Sequence, residues 1–183
     1  MDTVSLQLAK QKTEAVLITS RKTRETIKLK VDEQEIISQP DTQYLGVILD
    51  ARLNFKQHVK QVSDKASVVR TCLARLMPNI GGPKQSRRLT LSSVVASVLT
   101  YGIPIWEDAL ELQESWRKVG PVYRLSALRV VCGFRTISEK AVCVIAGPLP
   151  LRVLAQERQN LYQCKRSTTL SADDLRTKNV VTA

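Results

Sequence analysis

The feature that most constrains this chain is a change of period near residue 51. Before it, "ETIKLKVD" alternates Ile27, Leu29 and Val31 against Lys28, Lys30 and Asp32, the two-residue period of a strand. After it, Phe55, Val59, Val62, Ala66, Val69, Leu73 and Leu76 step by four, three, four, three, four and three. That spacing places one apolar stripe along a helix of about six turns. A chain that switches period once, with short runs before and long ones after, is expected to be α+β: a small antiparallel β element followed by a mainly helical region.

Four runs form the β-rich part. "TEAVLITS" (13–20) and "ETIKLKVD" (25–32) are strand-like, and "EIISQ" and "QYLGVILD" follow. Gly46, read as lying inside the last strand, marks a bulge or a close backbone approach. "MPNIGGP" (77–83) ends the first helix. A second helix is expected over 84–101, with Leu91, Val94, Val95, Val98 and Leu99 inward. The first helix should turn its valines toward Val94 and Val98. Further on, Leu112, Trp116 and Val119 share a face, and Gly120-Pro121 is expected to interrupt the helix, with Pro121 opening the next. Val122, Leu125, Leu128 and Val131 form a stripe there. Ser138 is placed to cap a short helix that ends at Gly147-Pro148. A last helix runs from Leu151 to about Arg166, before a polar tail.

Charge narrows the function. The net charge of +11 is uneven. Residues 1–51 hold seven Lys or Arg and eight acids, a net of −1. Residues 52–88 hold nine and one, a net of +8, and residues 89–183 hold twelve and eight, a net of +4. A field that dense attracts phosphate. A solvated face that keeps the chain soluble is the other reading of the same residues. Lys56, Lys60, Lys65, Arg70 and Arg75 all fall outside the apolar stripe.

Other chemistries find little support. No stretch offers the roughly 18 apolar residues of a membrane span, and Met1-Asp2-Thr3 does not open a signal peptide. Cys72, Cys132, Cys143 and Cys164 lie far apart, with no CxxC pair and no histidine close by, which argues against zinc. They are expected to be reduced and buried. His58, the single histidine, reads as an ordinary residue of the basic helix. Asp173-Asp174 reads as a weak helix start rather than a metal pair. Eight aromatic residues in 183 give no evident stacking platform for single strands. Backbone binding of a duplex by shape and charge remains.

Five blocks then carry a resemblance. "LQLAKQKTEAVLITSRK", "QYLGVILDARLNFKQHV", "LTYGIPIW", "GFRTISEKAVCVIAGPLPL" and the following "ER" occur in this order. In order and spacing they resemble the reverse transcriptases of non-LTR (LINE-type) retrotransposons, in particular those of insect type-1 elements. The resemblance covers about Leu6 to Arg166. It implies that residues 1–50 are the end of a polymerase palm, with motifs D and E, and that 51–105 are a thumb-like helical region. Residues 106–166 would be a helical connection region and 167–183 a polar tail. It further implies a primer grip at Tyr44, Leu45 and Gly46, duplex tracking by Lys56, Lys60 and Arg70, and a motif D lysine at Lys12 near the leaving pyrophosphate.

In that family the catalytic aspartates precede the first block, the endonuclease domain lies further upstream, and a cysteine–histidine knuckle lies downstream. None of the three is in this chain. The expectation is a C-terminal piece of an RNA-directed DNA polymerase (a nucleotidyltransferase), inactive alone and lacking the missing N-terminal part. Its partners would be an RNA template and a DNA primer. The resemblance implies Mg²⁺ for the complete enzyme and none in this piece, with an intracellular, nuclear location. A non-catalytic, sequence-independent nucleic-acid-binding helical module is the other reading kept open.

Overall fold

A computed structural model of the chain describes residues 13–21, 26–31 and 34–167. The fold is α+β: two antiparallel hairpins, then helices. Strands β1 (Lys28–Val31) and β2 (Gln34–Ile37) pair with Leu29 opposite Ile36. Strands β3 (Asp41–Tyr44) and β4 (Val47–Asp50) pair with Tyr44 opposite Val47 and Asp41 opposite Asp50. The chain divides into two compact units, Met1–His58 and Val59–Ala183.

Two expectations about the β part change. "QYLGVILD" is not one strand with a bulge but the tip and second strand of a hairpin. Leu45 and Gly46 form its two-residue turn, both at positive φ (47° and 82°). Two successive positive φ values are the signature of the type I′ turn, whose twist matches the strands it joins. "TEAVLITS" forms no strand. Its hydrogen bonds are divided: Gln39 N–H donates to Ala15 O, and Thr19 N–H donates to Ala51 O. With a single parallel bridge between Val16 and Gln39, no continuous ladder can form.

Among the described residues seven helices follow: α1 (Lys56–Arg75), α2 (Gln85–Leu99), α3 (Ile103–Trp106), α4 (Asp108–Glu111), α5 (Gln113–Val131), α6 (Glu139–Ala146) and α7 (Leu151–Ser167). In the helical unit α5 is central. Helices α2, α4 and α6 pack on it, and α3 packs on α7. Its buried residues lie on several faces, among them Ser115, Val119, Tyr123, Ser126, Leu128 and Val130, as a helix surrounded by others requires. Small side chains allow the close approaches. Ser92 Oγ and Ser126 Oγ meet at 2.8 Å between α2 and α5, and Ser63 Oγ of α1 donates to Lys118 O of α5 at 2.9 Å.

Gly120-Pro121 does not interrupt α5, which runs straight through Pro121. Proline clashes with the Cβ of the residue before it and so disfavours helix there. Glycine has no Cβ, so this clash is removed. The same glycine leaves room for Trp116, because a Cβ on Gly120 would lie 3.0 Å from the indole. The phase of α2 also differs from expectation. Its buried residues are Arg88, Ser92, Val95 and Leu99, while Val94 is exposed. The period was right, but the inward stripe includes polar residues that find partners, and α2 gives this face to α5. On α1 the stripe fades. Val59, Val62 and Ala66 are buried, Val69 and Leu73 are half-buried, and Leu76 is exposed beyond the helix end. Ser138 does cap α6, accepting from Ala141 N–H, and Gly147 at φ 94° closes it.

Arg88 sits in the first turn of α2, buried, with its guanidinium answered by backbone carbonyls. Nε donates to Pro83 O at 2.8 Å, Nη1 to Arg129 O at 3.2 Å and Met77 O at 3.4 Å, and Nη2 to Pro78 O at 2.5 Å. Arg129 O belongs to the last turn of α5, where carbonyls lack intrahelical donors. Gly82 lies against this group, and a Cβ there would sit 2.3 Å from Arg88 Nη2.

Arg88→Ala is expected to lose at least about 2 kcal/mol, since several carbonyls lose a charged donor at once. Arg88→Lys should recover only part of this, because an ammonium lacks the planar fork. Arg75→Ala, on the exposed end of α1, should stay within about 0.5 kcal/mol. Urea melts of the three variants check this.

Candidate nucleic-acid interface

In the first unit, the hand-over from β4 to α1 is built around Asp50. Its Oδ1 accepts from Arg52 N–H at 2.9 Å and Asn54 N–H at 3.2 Å, and its Oδ2 accepts from Phe55 N–H at 2.8 Å. A carboxylate accepting three backbone donors is strongly placed. It holds a tight turn in which Leu53 (φ 52°) and Phe55 (φ 53°) both adopt the left-handed region, which costs a non-glycine residue roughly 1–2 kcal/mol. One helical turn later, His58 is fully buried, and its Nδ1 accepts from Ile48 N–H of β4 at 3.3 Å. His58 is therefore not merely one more residue of the basic helix. It ties the helix start back to the strand. Gln57 Nε2 adds a bond to Asp41 Oδ2 at 3.2 Å.

This frame presents the hairpin tip outward. Tyr44 is 64% exposed and Leu45 74% exposed, and Gly46 is exposed beside them. Lys56 is exposed at the first position of α1. Among the residues expected to hold nucleic acid, these four lie in this unit. Lys12 lies outside the described residues, as do Asp173 and Asp174.

In the second unit, Lys60, Lys65 and Arg75 are exposed on α1. Arg70 is only half-buried: Nη2 donates to Thr71 Oγ1 at 3.4 Å, and Nε is inaccessible, with no hydrogen-bond partner among the described residues. Other arginines are committed to structure. Besides Arg88, Arg124 donates from Nε to Ile137 O at 2.9 Å and from Nη2 to Arg135 O. Arg158 donates to Thr100 O and Oγ1. Arg152 lies 4.4 Å from the Trp116 ring centroid, a cation–π distance. The sequence reading assigned none of these arginines a structural partner. Nothing in the local pattern marks them, since each carbonyl partner lies at least five residues away in the chain.

Of the four cysteines only Cys143 is buried, and Cys72, Cys132 and Cys164 are exposed. Burial, then the charge of Glu139, pushes the Cys143 thiol up. The expectation of burial thus fails for three of four, because their positions fall on outer faces or at the end of α5. Among the described residues no group of three or more His, Cys, Asp or Glu is placed to hold a metal ion. No helix among them is long and apolar enough to cross a membrane.

The chain is 27% identical over 132 residues to the "Putative 115 kDa protein in type-1 retrotransposable element R1DM" of Drosophila melanogaster. The chain is retrotransposon-related. The match covers 72% of this chain and 13% of the other, so the chain spans a small part of the protein it matches. No family model and no solved structure matches.

Burial lowers the pKa of His58. The unfolded imidazole therefore takes up a proton first as pH falls. Stability from neutral His58 is fully present above about pH 6.5 and is lost as pH drops from there toward the folded value. Protonated Nδ1 cannot accept from Ile48. Denaturant midpoints at about pH 7.5 and about pH 5.5 should fall in the native protein, and fall less in His58→Gln, which keeps an acceptor without titrating. Equal falls in both would exclude His58 as the cause.

Proposed function

We propose that this chain is the primer-grip and thumb portion of a retrotransposon RNA-directed DNA polymerase, holding a primer–template duplex by its backbone. In this reading the tip Tyr44-Leu45-Gly46 approaches the primer strand. Lys56, Lys60 and Arg70 neutralise phosphates without reading bases, as a polymerase that copies any sequence needs. The complete enzyme would add the carboxylates and Mg²⁺ for nucleotidyl transfer, and Lys12 would stand near the leaving pyrophosphate.

The observation that carries this reading is the exposed, strained hairpin tip. A leucine in left-handed geometry at the tip is costly, and asparagine or glycine would relieve it. A large apolar side chain kept 74% exposed in that conformation adds nothing to the core. Left-handed strain kept at an exposed tip points toward a contact outside the chain. The relation to a retrotransposon protein and the dense charge of 52–88 support the same ligand.

Titration of an RNA–DNA hybrid at several salt concentrations tests it. With about three phosphates neutralised, log K should fall with log salt at a slope of roughly −3. Lys56→Ala with Lys60→Ala should reduce the slope by about two units and leave stability within about 0.5 kcal/mol. Leu45→Asn should stabilise the fold by about 1 kcal/mol while weakening binding. A flat salt dependence, or a strong preference for one sequence, would rule the reading out.

A further inference from the structure

The helical unit contains an open cleft of about 430 Å³ lined by Arg70, Asn79, Leu125, Leu128, Arg129, Gly133, Phe134 and Arg135. Its volume is in the range of small-ligand sites. Three arginines meet there, and among the described residues no carboxylate forms a salt bridge with any of them. Arg129 Nη1 is oriented by Asn79 Oδ1 at 3.2 Å. Beside them Phe134 is 81% exposed, which is costly for a benzyl ring with no partner.

The loop that presents Phe134 and Arg135 is a built one. Gly133 N–H donates to Leu128 O at 3.0 Å, and Ile137 N–H donates to Phe134 O at 3.2 Å. From α5, the Arg124 guanidinium binds the carbonyls of both Arg135 and Ile137. Arg124 thus pins the backbone, while the side chains of Phe134 and Arg135 are exposed. Cations lining a cleft beside an exposed ring are the elements of a single-strand site: phosphate on the guanidiniums, base on the ring.

The geometry points to a subsite for an unpaired nucleotide, with its phosphate held by Arg70, Arg129 and Arg135 and its base stacked on Phe134. This rests on the chain being a nucleic-acid-binding piece, and deepens it by naming single-stranded nucleic acid adjoining the duplex as a second ligand. Sequence reading found no stacking platform because aromatic residues are few. Here one phenylalanine beside three arginines suffices.

The test compares three probes on the full chain: a blunt RNA–DNA hybrid, the same hybrid with a short single-stranded overhang, and the same with an abasic overhang. The overhang should tighten binding about tenfold over blunt, within the range of one stacked base plus phosphate contacts, and the abasic overhang should recover only part of this. Phe134→Ala should remove the base-dependent gain and leave blunt affinity within about twofold, while Phe134→Trp should keep it. Arg135→Gln should weaken both overhang probes and leave blunt affinity within about twofold, and circular dichroism should show all variants folded. An equal gain from the abasic overhang, or full gain in Phe134→Ala, overturns the subsite. If that happens while Lys56→Ala with Lys60→Ala still weakens the blunt hybrid, the grip reading stands without the cleft. If the lysine changes do nothing and the overhang gain maps to Phe134, the cleft stands and the grip reading falls.

Discussion

The helical unit depends on one buried charge met by backbone oxygen alone. Among the described residues Arg88 has no acid for a partner. Removing a guanidinium from water is costly unless its donors are answered, and here carbonyls from the 77–83 loop and the end of α5 answer them. Glycine at position 82 makes the approach sterically possible. The loop after α1, the start of α2 and the end of α5 are fixed by one side chain. Arg124 and Arg158 repeat the principle, each tying carbonyls of a loop or helix end to its own helix.

That use of arginine changes what the net charge means. A count of +8 over residues 52–88 overstates what nucleic acid can meet, because Arg88 is withdrawn from it. What remains outward on α1 is Lys56, Lys60, Lys65 and Arg75, with Arg70 at the edge of a cleft. Lysines are exposed and arginines are more often committed. This division follows from their chemistry: a flexible ammonium tracks phosphate as a point charge, whereas a planar fork can bind several carbonyls at once. The first unit uses an anion in the same manner. Asp50 gathers three backbone N–H groups and turns the chain from strand to helix, so the Lys56 end of α1 begins where the hairpin ends.

Much of this was legible in the sequence, and the failures share a cause. The period change at residue 51, the Ser138 cap and the Gly147 stop are local signals that were read correctly, whereas "TEAVLITS" has a strand's local pattern but makes only a single bridge. Gly46 was read as a bulge or a close backbone approach inside a strand because glycine in an apolar run fits these as well as a turn, and only the pairing of Asp41 with Asp50 decides. Pro121 was taken for a break because the absence of a Cβ on Gly120, and the Trp116 ring that fills the space, matter only in three dimensions. The phase of α2 was misjudged because Arg88 and Ser92 look like surface residues until their partners on distant elements are known. Phe134 went unnoticed for the same reason: its three arginine neighbours come from α1, the end of α5 and the loop that follows.

Lysine footprinting tests most directly the claim that the outward lysines of α1, rather than the basic residues at large, meet nucleic acid. The chain would be acetylated with and without a saturating RNA–DNA hybrid at low salt, and each site read by mass spectrometry. The account predicts protection of Lys56 and Lys60, with Lys140 on α6 and Lys165 on α7 modified as before. Protection of Lys140 and Lys165 equal to that of Lys56 and Lys60, or no protection of the α1 lysines under bound conditions, would contradict it.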